Sequence, residues 1–132
     1  MEELLKKPSQ YSSLALAYIG DSVYEVYVRT RVIKEHPDMP AHKLHRCAVG
    51  YVKAHAQSNS IEAIESELTE NELAVYKRGR NAKSPTVPKN ADLTDYRRAT
   101  GFEALIGYLY LGGDNERLNY IMEKAYNSAM DK

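Results

Sequence analysis

Two carboxylates stand out in this 132-residue sequence because of the company they keep. Asp21 follows Gly20 inside the run LALAYIGDSVYEV, among apolar and aromatic residues. Gly and Asp are both poor helix formers in an interior position, so the pair marks either an N-cap at a helix break or a site. An ionised carboxylate in apolar surroundings needs a partner or a cation. Glu103 is the single charged residue of ATGFEALIGYLYLGG, residues 99–113. Arg97 and Arg98 lie close before it, and pairing with one of them would be the ordinary structural use of such a lone charge. Neither segment offers His or Cys at metal-ligand spacing. Hard oxygen ligands with open positions suit Mg²⁺, which keeps waters and is held by one or two carboxylates plus substrate phosphate. Together the two acids point to metal-assisted phosphate chemistry, in which the ion generates hydroxide and stabilises the leaving oxygen.

The distribution of charge adds to this. The chain has 18 Lys+Arg and 18 Asp+Glu, a formal net charge of zero, which excludes a protein held to nucleic acid by bulk charge. Locally the balance is broken. Residues 77–90, KRGRNAKSPTVPKN, hold Lys77, Arg78, Arg80, Lys83 and Lys89 and no acid, and Arg97 and Arg98 follow. Residues 61–75 hold Glu62, Glu65, Glu67, Glu70 and Glu72 and no base, which reads as a solvated face. A basic, Gly/Pro-containing loop ahead of the Glu103 helix is placed to hold a polyanion, although charge runs are often merely solvated. The four histidines do not make a zinc site: His42 and His45 are three apart, but no Cys or carboxylate pair completes a set. They read as helix-surface residues able to touch phosphate beside Lys43 and Arg46.

The elements that must position these groups read as helices almost throughout. With 43% hydrophobic and 27% charged residues the composition is that of a globular domain rather than a disordered chain. The length predicts one domain over residues 1–132. The single cysteine, Cys47, cannot form an internal disulfide, and the start MEELLKKPSQ lacks the apolar core of a signal peptide. No apolar run reaches the roughly 18 residues of a membrane span, so a cytoplasmic location is expected. Leu16, Ile19, Val23, Val26, Thr30 and Ile33 form one stripe of a first helix from about Ser12 to Lys34, and Leu14, Ala17, Tyr24 and Val28 make its other side apolar too. Such a helix is expected to be central and buried. A second helix is predicted from Ala41 to about Ser58, a third capped by Ser60, and a fourth capped by Thr69 from Glu70 to Arg78. Gly79 to Leu93 reads as loop. Thr94 or Asp95 caps a strong helix ending at Gly112-Gly113, and Asp114 opens a last one with Leu118, Ile121, Met122, Ala125 and Met130 inward. The expected fold is one all-α domain of about six helices.

At this point the two motifs carry a resemblance. LAYIGDSVYEVYV resembles the signature helix of the ribonuclease III family, and EALIGYLYLGGD resembles its second motif, in which a catalytic Glu opens an apolar helix ending in a Gly-rich turn. The match spans essentially the whole chain. It implies a single ribonuclease III-like endonuclease domain that works as a homodimer. The implied activity is Mg²⁺-dependent cleavage of double-stranded RNA, with Mn²⁺ as a substitute and Asp21 and Glu103 as the catalytic metal ligands. Two positions depart from the family pattern, which usually has a Glu four residues before the Asp and an Asp three before the second-motif Glu. Here they are Ala17 and Thr100, and Thr100 is expected to hold a water next to the ion. From the length, the double-stranded RNA-binding domain of ordinary members is expected to be absent. The compact relatives this implies are cytoplasmic and trim the precursor of large-subunit (23S) ribosomal RNA, with ribosomal proteins or assembly intermediates as further partners. Lost RNA affinity is then expected to be supplied by Lys77, Arg78, Arg80, Lys83, Lys89, Arg97 and Arg98. Two rivals remain: a non-catalytic RNA-binding relative of the same fold, and a helical protein-interaction module whose acids are structural ion pairs.

Overall fold

A computed structural model describes Leu4 and residues 6–131; residues 1–3, 5 and 132 of the expected domain, including most of the first half of MEELLKKPSQ, lie outside the described residues. Ser12 accepts a hydrogen bond from the Ala15 amide at 3.1 Å and opens α1 (Ser13–Glu35). It is followed by α2 (Ala41–Val52), α3 (Ala54–Ile64), α4 (Glu70–Asn81), α5 (Leu93–Leu111) and α6 (Asn115–Asn127), with 3-10 turns at Pro8–Gln10 and Glu65–Glu67. The described residues contain no strand, so the all-α, six-helix expectation holds. No helix among them is long and apolar enough to cross a membrane.

The central helix is α5, not α1. It packs against α1, α3, α4 and α6 and buries Phe102, Leu105 and Ile106 completely. The expected stripe on α1 is also displaced. Leu16, Gly20, Tyr24, Val28 and Val32, each four apart, face the core, while Val26 is 65% and Ile33 54% exposed. A helix apolar on most sides does not specify its inner face by periodicity; close packing against α5 decides it.

Other boundaries move for identifiable reasons. The second helix ends at Lys53, whose extended backbone separates α2 from α3. Ser60 is therefore no cap. It sits inside α3, buried, and its hydroxyl lies 3.1 Å from the Ala56 carbonyl and 2.7 Å from the Ala125 carbonyl of α6. Gly79 does not begin a loop either. It is a buried residue of α4, where a Cβ would lie 2.9 Å from Gly101 Cα of α5. The helix needs that glycine to cross α5 closely, and the loop starts at Ala82. Asp92, rather than Thr94 or Asp95, caps α5 by accepting from the Asp95 amide at 3.0 Å.

The remaining caps stand as expected. Thr69 and Glu72 form a reciprocal capping box; Gly113 takes the left-handed conformation after α5 (φ 73°); Asp114 caps α6. Leu118, Ile121, Met122 and Ala125 are buried, but Met130 lies past the helix and is exposed. Glu72 departs from the solvated face read for its stretch. It is buried, and Arg117 of α6 grips it in a two-pronged ion pair at 2.9 and 2.8 Å.

Candidate active site

The crossing of α1 over α5 builds the site. A Cβ on Gly20 would overlap the Glu103 carbonyl oxygen, and one on Gly107 would overlap the Leu16 carbonyl oxygen. The two backbones therefore touch, and only glycine permits it. Gly20 is thus a contact residue in an unbroken helix, not a break. The next residue along α1 is Asp21, and the residue Gly20 meets is Glu103.

The two carboxyl groups face each other across this contact. Glu103 is half-buried and Asp21 is exposed, so the apolar neighbours of Asp21 in sequence do not enclose it. Burial first, then the nearby carboxyl of Asp21, push Glu103 up to about 8. Neither acid has a cationic partner among the described residues. Arg98, the expected structural partner, approaches Ser58 Oγ at 3.5 Å and Glu62 at 3.9 Å instead, and Arg97 is exposed. Two carboxyl groups held together without a counter-ion cannot both ionise freely, which is why Glu103 keeps its proton to a higher pH.

One neighbour was invisible to sequence reasoning. Gln57 of α3 is 1% exposed, and its side chain lies close enough to Glu103 to draw that carboxyl's pKa down against the effect of burial. Its Oε1 has no partner. An unpaired buried amide acceptor costs about 1–3 kcal/mol, the kind of defect found at functional sites. A signal existed: Gln57 lies four residues before Ile61 and seven before Ile64, both core, so the helical period puts it inside.

The two departures from the family pattern are built into the packing. Ala17 clusters with Leu16, Val75 and Ala104. Thr100 is buried and its hydroxyl donates to the Tyr96 carbonyl at 3.0 Å, so toward a water it is an acceptor only.

The basic residues lie at the end of α4, on the loop after it and in the first turns of α5. Lys77 and Arg78 are exposed on α4, and Arg80 is half-buried over the Tyr76 ring at 5.7 Å. A Cβ on Gly79 would lie 3.4 Å from the Thr100 carbonyl, which sets the last turn of α4 against the turn of α5 that precedes Glu103. Arg78 also donates to the Ser9 carbonyl at 3.3 Å. Lys83 and Lys89 are exposed on the loop 82–92. The Tyr96 hydroxyl ties that loop to α5, 3.2 Å from Ser84 Oγ and 3.1 Å from the Thr86 carbonyl. Lys77, Arg78, Arg80, Lys83, Lys89 and Arg97 form no ion pair among the described residues.

The described residues contain no group of three or more His, Cys, Asp and Glu able to hold a metal. His42 and His45 are exposed on α2. His55 bridges Asp95 at 3.0 Å and Asp131 at 3.1 Å, fastening the C-terminal residues to α3 and α5.

Comparison with known proteins adds the following. Residues 14–114 match the model of the Ribonuclease III domain family. The chain is 50% identical over 127 residues to a Mini-ribonuclease 3 of Clostridium tetani, an alignment covering 96% of this chain and 84% of that one. It is 49% identical to a Mini-ribonuclease 3 of Thermoanaerobacter over 92% of this chain and 86% of the other. A crystal structure of a protein from Fusobacterium nucleatum is similar with a TM-score of 0.80 at 28% identity, over 92% of this chain and 96% of that one.

Proposed function

The chain belongs to the ribonuclease III family, and from that premise we propose that Asp21 and Glu103 are the divalent-metal ligands with which it hydrolyses double-stranded RNA. Its class is that of a double-strand-specific endoribonuclease. The observation that carries the metal assignment is the pair of facing carboxylates without a counter-ion. An all-oxygen donor set of this kind fits a hard ion, Mg²⁺ with Mn²⁺ as substitute, which keeps waters and takes few protein ligands. When bound, the ion supplies the positive charge that lowers the pKa of water and stabilises the leaving oxygen.

The chain's own residues do the rest. Glu103, anchored in the core helix, and Asp21, at the surface, would hold the ion. Thr100 accepts a hydrogen bond from a water beside them. Lys77, Arg78, Arg80, Lys83, Lys89, Arg97 and Arg98 hold backbone phosphates. That suits a duplex, which is recognised by shape and backbone rather than by base edges. The substrate we propose is the precursor of large-subunit ribosomal RNA, met in the cytoplasm. The working form is a homodimer, one site per subunit. Support for the dimer is the outer side of α1, where Tyr18 is 80%, Val26 65% and Ile33 54% exposed, beside a groove of about 750 Å³ lined by Val23, Val26, Leu118 and Met122.

A second reading is favoured by Ala17 and Thr100, which leave two acids where the family pattern has four: an RNA-binding relative that does not cut. Long double-stranded RNA incubated with wild type and Asp21→Asn, with and without Mg²⁺, separates the two. Cleavage is expected only for wild type with Mg²⁺. Binding without Mg²⁺-dependent products would establish the second reading, and equal cutting by Asp21→Asn would remove Asp21 from the mechanism.

A further inference from the structure

Gln57 is the one buried polar side chain at the site that neither the metal assignment nor the RNA surface uses. Its backbone is rigidly placed. Ala56, Ile61 and Ile64 of α3 are each 1% exposed, and the Ser60 hydroxyl ties the helix to α6 at 2.7 Å. From this helix the Gln57 side chain reaches Glu103, while its Oε1 stays without a partner. The residue type is specific to that task. A carboxamide donates an N–H to a carboxylate while adding no charge. A third acid would deepen the repulsion between Asp21 and Glu103, and an apolar side chain would leave the Glu103 carboxylate without a donor in a place where burial opposes its charge.

We propose that Gln57 is a positioning residue for the reaction: its buried amide holds the Glu103 carboxylate in the orientation that faces Asp21, and its free carbonyl oxygen is left to accept from the hydration water of the bound ion. Such partners behind a ligand orient it and raise metal affinity by about 10- to 100-fold. The proposal rests on the reading of Asp21 and Glu103 as metal ligands. A purely structural role would make Gln57 matter for stability and not for metal.

Gln57→Leu removes both hydrogen-bonding groups, and Gln57→Met does so while keeping the unbranched shape should Leu disturb folding. Mn²⁺ affinity of the RNA-free protein is measured by electron paramagnetic resonance, the half-saturating Mg²⁺ by cleavage of long double-stranded RNA, RNA affinity by gel shift in EDTA, and folding by thermal melts. The expected result is Mn²⁺ affinity weakened about tenfold or more, with half-saturating Mg²⁺ raised to match. RNA affinity in EDTA stays at the wild-type value. A folded variant whose Mn²⁺ affinity and Mg²⁺ requirement stay within twofold of wild type overturns the proposal, as does a lowered melting point with those two values unchanged. Wild type that binds no Mn²⁺ and makes no Mg²⁺-dependent products removes the metal reading itself, a result distinct from a wild type that cuts and a Gln57 variant that matches it.

Discussion

Replacing Glu103 by Gln takes away a charge that folding works against, since the group is half-buried, opposed by Asp21 and without a counter-ion. In EDTA at pH 8 and above, Glu103→Gln is expected to melt at the wild-type temperature or a few degrees higher, while cleavage in Mg²⁺ falls by about 10³-fold or more, several kcal/mol of lost charge stabilisation. A melt well below wild type would mean that the carboxylate holds the fold together, as in an ion-pair module. Both acids were legible in the sequence because a lone charge in an apolar run is a local anomaly. Gln57 was not, because a neutral amide makes no such anomaly and its partner is 46 residues away in sequence. Arg98 misled for the converse reason: nearness in sequence offered a partner for Glu103, but the side chain turns toward α3 and meets Ser58 and Glu62.

At the scale of elements, caps were readable and crossings were not. Thr69, Asp114 and Gly113 act through bonds and dihedrals within a few residues, which a sequence displays. Gly20 and Gly79 interrupt a pattern and so read as a break and a loop, yet each is where another helix comes too near for a Cβ. Gly20→Ala is therefore expected to cost about 3 kcal/mol in urea unfolding, at the upper end for overpacking because backbone and not side chain must yield. Its cleavage rate should fall under conditions where the variant is still fully folded, because the same contact sets Asp21 against Glu103. Retention of full activity would show that the crossing does not set the pair. The Glu72–Arg117 pair that joins α4 to α6 gives a pH test. Burial pushes Glu72 up, but Arg117 and the Thr69 hydrogen bonds outweigh it and hold the carboxyl below its ordinary 4.5. The pair thus stabilises above pH 4.5 and loses its effect as pH falls through the lowered value. Glu72→Gln should cost roughly 2–3 kcal/mol at pH 7, less than a fully buried pair because Arg117 is partly exposed. The gap to wild type should close on acidification, and a gap independent of pH down to 3 would contradict the assignment.

For the whole molecule, the same ambiguity that hid the inner face of α1 is informative. A helix apolar on both sides, of which only one meets the core, leaves the other side uncovered. Leu14, Tyr18 and Val26 lie on the outer side, four and eight residues apart with exposed Ser22 between the last two, opposite Leu16, Gly20, Tyr24 and Val28. Exposed apolar side chains along one helix face are ordinary at the centre of a homodimer interface. An interface there would set α1 of one subunit against its partner and leave Asp21 at the margin, so that two sites could act on opposite strands of one duplex. Val26→Asp would bury an unpaired charge in such an interface, at a residue that is 65% exposed in the single chain. By sedimentation equilibrium the variant is expected to dissociate at concentrations at least tenfold above those of wild type, with an unchanged melting profile in the monomer range. Its Mn²⁺ affinity per chain should match wild type, since Asp21, Glu103 and Gln57 come from one subunit. Cleavage of long duplexes should fall with the dimer and recover at high protein concentration. A variant that remains dimeric would place the interface elsewhere, and a monomer that cuts both strands at the wild-type rate would separate dimerisation from double-strand cleavage.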